Sequence, residues 1–348
     1  MSAFIAVKPA SGFPASTRKT RSRFHSAVYG KDTRDIDMQE ALCEKVDLGV
    51  SKVRPYEGFI FLCGGPMDIK SAQPISIRDA IYRELAKDDA IERRIRVAEH
   101  YKDWSHDSIY RDLVLFERHL AELSSVIVLP LESPGSIAEL GLFSVIEEYQ
   151  SKLLVVIEAS HYTSTSFIRM GPVDYLEKAH GNQAECHRWL APSGRDTVFD
   201  PGAAEDLQPE LAEAILRRVS KATPERNFQA ELWFDKALLL CDLLNLYSAL
   251  TLREIHSQFE GFKCKVSEGE IKQILYILEK VGLIAMEPKG TQRFYVGVEP
   301  KQYLKFHFVD SSFDISRFRA NLLAEYAAGD KKRFKAIQEV RRRNAPSE

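Results

Sequence analysis

Three short apolar runs constrain this chain more than any other feature. Phe59-Ile60-Phe61-Leu62-Cys63 stops at Gly64-Gly65-Pro66, Ser125-Val126-Ile127-Val128-Leu129 is the second, and Leu153-Leu154-Val155-Val156-Ile157 is the third. Runs this short, rich in β-branched residues and bounded by Gly or Pro, read as strands buried on both faces of a parallel sheet. Between them, Ile77, Ile81 and Leu85 recur at helical spacing, as do Leu113, Phe116, Leu120 and Leu123. Strands alternating with helices of this size predict an α/β fold, a doubly wound, Rossmann-like parallel sheet. Ile95 to Ala98 reads as a weaker strand near an edge, because Arg96 interrupts it.

The last third has another rhythm. Leu232, Leu239, Leu243 and Leu246 share a helical face, Leu252–Phe259 is a short second helix, and Ser267 with Glu270 forms an S-x-x-E capping box that opens a third. Leu283–Met286, the turn Pro288-Lys289-Gly290 and Arg293–Val298 then make a hairpin. Helix, helix, helix, hairpin is the order of a winged helix. Loops at Pro192-Ser193-Gly194 and Pro201-Gly202 interrupt residues 181–227, and the boundary falls near Ala222-Thr223-Pro224. Four segments are expected: a basic arm and leading segment over 1–56, a catalytic α/β domain over 57–222, a helical winged-helix domain over 223–300, and a basic helical extension over 301–348.

Charge is local rather than global. The chain carries 48 Lys+Arg against 50 Asp+Glu, a net of −2, so no overall field selects nucleic acid or membrane. The arm concentrates Arg18, Lys19, Arg21 and Arg23, which are either solvated or in contact with phosphate. The third helix carries Lys272, with Glu268, Glu270 and Glu279 beside it, and the hairpin carries Lys289 and Arg293; these are the candidate nucleic-acid contacts. Five scattered cysteines without a C-x-x-C pair argue against a disulfide framework or thiolate metal site, and no His pair offers metal-ligand spacing, so no metal is expected. No apolar run approaches a membrane span, and the reading is cytoplasmic.

The sharpest chemical signal is Glu132-Ser133-Pro134-Gly135-Ser136-Ile137-Ala138-Glu139, which follows the second run and opens a helix. In an open α/β sheet, ligands bind beyond the carboxyl ends of the strands. Gly135 would admit a ligand to the backbone, and Ser133 and Ser136 stand where helix N–H groups face an anion. Glu139, held ionised near the helix dipole, could attack an anomeric carbon or steady the positive charge that grows there as a base departs. Equally, Ser136 to Glu139 is itself an S-x-x-E box, in which Glu139 only bonds backbone. Gly64 and Gly65 would let backbone approach a ligand. They lack G-x-G-x-x-G spacing, which disfavours a dinucleotide dehydrogenase. Glu117 reads as a surface residue able to reach the same crevice, and Glu99, Tyr101 and Asp103 are loop candidates after the edge strand.

The run Phe61 to Gly65, Leu120-Ala121-Glu122, the Glu132–Gly141 segment and Ser166-Phe167-Ile168-Arg169-Met170-Gly171-Pro172 together resemble retron effectors. These are bacterial anti-phage toxins with a nucleoside deoxyribosyltransferase-like domain followed by a winged helix. The resemblance covers residues 57–175 and, in domain order, 228–300. It implies an N-glycosidase that cleaves NAD or a related nucleotide as substrate, without a cofactor. It also implies restraint by a reverse transcriptase and its msDNA, a DNA–RNA hybrid, with a homo-oligomer or higher assembly possible. Glu139 matches the family's catalytic carboxylate, and Glu117 and Glu132 match acidic positions near the site. Metabolic deoxyribosyltransferases commonly place Asp and Gly-Thr in the loop, where this chain has Glu132, Gly135 and Ser136. The other readings are such a metabolic transferase and a nucleotide-sensing DNA-binding regulator.

Overall fold

The computed structural model describes residues 42–101, 109–221, 223–310 and 312–344. Arg18, Lys19, Arg21, Arg23 and Asp103 lie outside the described residues.

The first strand among the described residues, β1 (Val46–Val53), joins a sheet described below. The three apolar runs form β2 (Phe59–Leu62), β4 (Ser124–Pro130) and β5 (Leu153–Glu158), with β3 (Ile95–Arg96) between the first two and β6 (Glu185–His187) after the last. All pair in parallel, in the order β3-β2-β4-β5-β6. β3 takes the edge position expected for Ile95–Ala98 but covers only Ile95–Arg96, and Ala98 begins a 3-10 turn. The order reverses between β2 and β4, and that is where an open α/β sheet leaves a crevice.

Alternation between two buried faces explains why the runs are apolar apart from Ser125 at the start of the second. Ile60, Leu62, Val126, Val128, Leu154 and Val156 face one way, onto helices α1 (Ile77–Leu85) and α4 (Pro201–Val219). Phe59, Phe61, Ile127, Leu129, Leu153 and Val155 face the other, onto α2 (Leu113–Glu122) and α3 (Pro134–Phe143). Each such fully buried side chain is worth about 1.5–3 kcal/mol of transfer free energy. A small antiparallel hairpin, β7 (Leu190–Ser193) with β8 (Asp196–Phe199), precedes α4.

After β9 (Arg226–Asn227) come α5 (Trp233–Tyr247), α6 (Leu252–Gly261) and α7 (Glu268–Lys280), then the hairpin β10 (Ile284–Lys289) and β11 (Gln292–Gly297). Thr251 and Glu254 close a full capping box at α6. At α7, Ser267 accepts from Glu270 N, but the Glu270 carboxylate pairs with Lys236 at 2.7 Å instead of completing the box. The hairpin turns at Gly290, φ +66°, and Leu250 bridges Tyr295 to add a third short strand element.

The leading segment belongs here. β1 lies between β9 and β12 (Leu304–Phe308), antiparallel to both, with Val53 opposite Leu304 and Arg226. The basic C-terminal residues form α8 (Ile315–Gly329) and α9 (Lys331–Arg343). α9 turns Arg333 inward, where it pairs with Glu254 and donates to Ala249 O at 3.0 Å.

The two bodies meet through α2. His119 stacks on Trp233 at 3.9 Å between centroids, and Phe116 meets Tyr276 of α7 edge-on at 6.3 Å. Gln273 Nε2 donates to Ile109 O at 3.2 Å, and Arg96 donates to Val281 O at 2.7 Å. The core on this face of the sheet is therefore continuous with the core of the second body. No helix among the described residues is long and apolar enough to cross a membrane.

Candidate active site

The carboxyl ends of β2 and β3, with α1, α2 and α3, enclose a cavity of about 290 Å³ whose polar lining is Cys63, Arg78, Glu99, Glu117 and Glu139. Each side chain arrives by a separate route. Cys63 directly follows β2, Arg78 is the second residue of α1, Glu99 sits in the 3-10 turn Ala98–Tyr101, Glu117 is midway along α2, and Glu139 is in the second turn of α3.

The N-cap of α3 decides what Glu139 is free to do. Ser133 is the cap, with Pro134 in the first turn, and the capping box is Ser133 with Ser136: each side chain accepts from the other's backbone N–H at 3.1 Å. The box expected from Ser136 to Glu139 does not form, because the helix starts three residues earlier. Glu139 is thus released from capping and stands beyond the first turn, where the dipole fades. Burial pushes its carboxyl up, and the Arg78 guanidinium pulls it down. Glu99 pushes it up again, and a hydrogen bond from the Cys63 thiol pulls it down. Its Oε2 is buried and has no hydrogen-bond partner among the described residues.

Glu117 is buried, and burial, then Glu139, then Glu99 raise its carboxyl to about 7. Burial and the surrounding carboxylates hold the Cys63 thiol well above its ordinary value, so it stays protonated. Arg78 is the cation of the cavity: 3% exposed, it donates to both Glu99 oxygens at 2.7 and 2.6 Å and to Gly65 O at 3.0 Å.

The other expected site residues serve different ends. Glu132 accepts from Gly65 N at 2.8 Å, Ile77 N at 2.7 Å and Arg78 N at 3.0 Å, so its carboxylate caps α1 and ties down the β2 loop. That clamp is why Gly64 and Gly65 are glycines. Gly64 has φ +125°, and a Cβ there would lie 3.0 Å from Arg78 Cβ; one on Gly65 would lie 3.0 Å from Glu132 Cδ. The close approach is to the chain's own side chains, with Gly64 still lining the cavity. Tyr101 is buried against Phe116, edge-on at 5.9 Å, in the core. Gly135 is exposed in the first turn of α3.

Ser133 and Glu132 instead border a second cavity of about 440 Å³ on the other side of α3, walled by Ile137, Ile168, Trp189 and Phe199. Lys272 and Arg293 line a wide groove of about 1160 Å³ between α7 and the hairpin, but Lys272 is held by Glu268 at 2.6 Å. Lys289 is held by Glu287 at 2.7 Å and Glu339 at 2.5 Å. Among the described residues no group of three His, Cys, Asp or Glu could hold a metal ion.

Arg78 and Cys63 carried no signal as site residues, since an arginine in an amphipathic helix reads as surface and a cysteine in an apolar run reads as core. Only the position of Arg78 directly beside Ile77, on a helix that follows a Gly-Gly turn, hinted that it turns inward.

Residues 74–286 match the family model described as STM3845 retron effector protein. Two Escherichia coli proteins are similar. A candidate ribosyltransferase/DNA-binding protein of retron Ec86 is 37% identical over 198 residues, 56% of this chain and 63% of the relative. The counterpart from retron Ec73 is 24% identical over 223 residues, 60% of this chain and 67% of the relative. The matched part of the chain thus spans about two thirds of the length of these curated relatives.

Proposed function

The chain belongs to the retron effector family, and on that footing we propose that it is the toxic effector of a retron anti-phage system, an N-glycosidase acting on NAD or a related nucleotide. The observation that carries this reading is the cavity itself: three carboxylates and one guanidinium at the reversal point of a parallel sheet. A lining with this excess of acid repels phosphate and attracts a ribosyl group bearing a cationic base. In NAD the nicotinamide ring is that cation.

The chemistry then follows from the two carboxylates whose surroundings differ. Glu139, through its unpartnered oxygen, attacks the anomeric carbon; the C–N bond breaks and its electron pair leaves with the base, which departs neutral. Glu117, poised near 7, takes a proton from water as that water opens the ribosyl ester and restores Glu139. For a neutral purine substrate Glu117 would instead give its proton to the leaving base. The neighbouring apolar cavity, bordered by Trp189 and Phe199, suits the second ring system of a dinucleotide, which a simple nucleoside would leave unfilled.

The strand order supports a nucleoside deoxyribosyltransferase-like domain, and the three helices, hairpin and Leu250–Tyr295 bridge support a winged helix. We read the partners as retron reverse transcriptase and msDNA, which restrain the enzyme until infection. Because Lys272 and Lys289 are paired within the chain, the second body is better suited to gripping a protein or a structured hybrid than to reading duplex sequence.

The test is incubation of the purified chain with NAD, nicotinamide mononucleotide and a panel of nucleosides, read by mass spectrometry. Free nicotinamide with ADP-ribose is the expected result. Base exchange that requires an added acceptor base would make it a metabolic transferase, and no base release by folded protein from any substrate would overturn the proposal.

A further inference from the structure

We infer that Arg78 is a positioning residue for the glycosidic reaction: the fixed cation against which Glu139 is held as a carboxylate. The inference rests on the reading of Glu139 as the nucleophile, and nothing in the motifs or the family resemblance assigns Arg78 a part.

The guanidinium is immobilised from several directions. Its backbone N–H donates to Glu132 at 3.0 Å, and its side chain is gripped by Glu99 on two nitrogens and by Gly65 O. With glycine at 64 and 65, the loop passes so close that a methyl group on Gly64 would press on Arg78 Cβ at 3.0 Å. Among the described residues, the polar groups lining the cavity with Glu139 are Cys63 after β2, Arg78 from α1, Glu99 from the turn after β3, and Glu117 from α2. Of these only Arg78 is positive. Glu99 opposes it, but the Glu99 side chain is 58% exposed against 3% for Arg78, so solvent screens the acid far more than the base. The net field at Glu139 from this pair favours a carboxylate, the same direction in which Arg78 moves that group. A neutral Glu139 cannot attack. Arg78 therefore keeps an otherwise disfavoured charge available inside a small cavity, and it does so without needing to touch substrate.

The pH dependence of kcat/KM on NAD tests this, because the acid limb reports the free enzyme's nucleophile. Arg78→Met should move that limb upward by about one to three pH units, with rate recovering in more alkaline buffer. Arg78→Lys should restore most of the shift. Glu99→Gln should move the limb the opposite way, downward. Opposite displacements from the two partners of one ion pair are not a consequence of lost packing. A rate lowered by one factor at every pH, with the limb unmoved in both variants, overturns the inference. If Arg78→Met does not fold, Glu99→Gln decides alone, since its side chain is largely exposed, and a limb that stays or rises overturns it. Glu139→Gln measured alongside separates the two layers. Retained turnover there defeats the nucleophile assignment, whereas an inactive Glu139→Gln with an unmoved limb in the other variants defeats only the role of Arg78.

Discussion

Glu132 and Glu139 belong to one stretch of chain, yet the two ends of that stretch do opposite things with a carboxylate. Both are half-buried, and burial pushes both carboxyls upward. At the loop end, Glu132 has three backbone N–H groups to accept from, and it binds the β2 loop to the start of α1. At the helix end, Glu139 has a charge and a thiol for company and one oxygen with no partner. Burial is common to the two acids; the number of committed hydrogen bonds separates them. A carboxylate with three of its roughly four acceptor sites taken by N–H donors has little left to offer a substrate.

The comparison breaks most visibly at Glu139. Glu139→Gln should lower turnover of NAD by about 10³-fold or more while the thermal midpoint holds, because the amide keeps the shape but cannot attack. Wild-type turnover in that variant would mean that the free oxygen is incidental. Next in size is Glu117→Gln, expected to cost about 10²-fold in kcat. In the wild type, kcat on NAD should rise with pH through about 7, as Glu117 loses its proton and becomes able to accept one from water. A profile that falls through that range would assign it as an acid.

Glu132→Gln should do the reverse of Glu139→Gln. Losing one acceptor oxygen orphans at least one N–H and sets an amide NH₂ against another, so urea denaturation should show a loss of about 2–4 kcal/mol. Unchanged stability with lost binding would return Glu132 to the substrate. His119 offers a smaller test at the junction of the bodies. Burial lowers it from 6.5 to about 3, so the unfolded chain binds a proton between those values and the folded chain does not. Stability should therefore fall as pH drops from 6.5 toward 3, by about 1.4 kcal/mol per pH unit from this group, and His119→Phe should flatten that slope. The smallest effect is expected for Lys272→Ala, whose ion pair with Glu268 is open to solvent: the same denaturation should show no resolvable change in stability.

The sheet was legible from sequence because strands buried on both faces leave no room for polar residues, and Phe59–Cys63, Val126–Leu129 and Leu153–Ile157 have none. Helix starts were legible where the cap was a lone Ser, as at Ser267. At α3 two S-x-x patterns overlapped, and the Ser133-Pro134 pair was the better guide, since Pro is favoured in a first turn. The cavity was only half visible. Glu139 and Glu117 announced themselves as acids on helices and Glu99 as a loop acid after the edge strand, but Arg78 becomes a site residue only through its pairing with Glu99 across the chain, for which no local pattern exists. The same holds for β1, whose partner strand lies some 250 residues away.

That pairing has a consequence for the order in which the protein comes into being. Of the described strands β1 emerges from the ribosome first, and its ladder to Leu304–Phe308 must wait until the residues between the two strands have been made. The first of the described strands is among the last of them to be satisfied. Contacts so distant in sequence are slow to form, so a nascent chain would hold a finished parallel sheet beside an unfinished second body. Removing Leu304–Phe308 would accordingly strip a neighbour from β1, and the damage from such a cut would surface in a strand far from it in sequence.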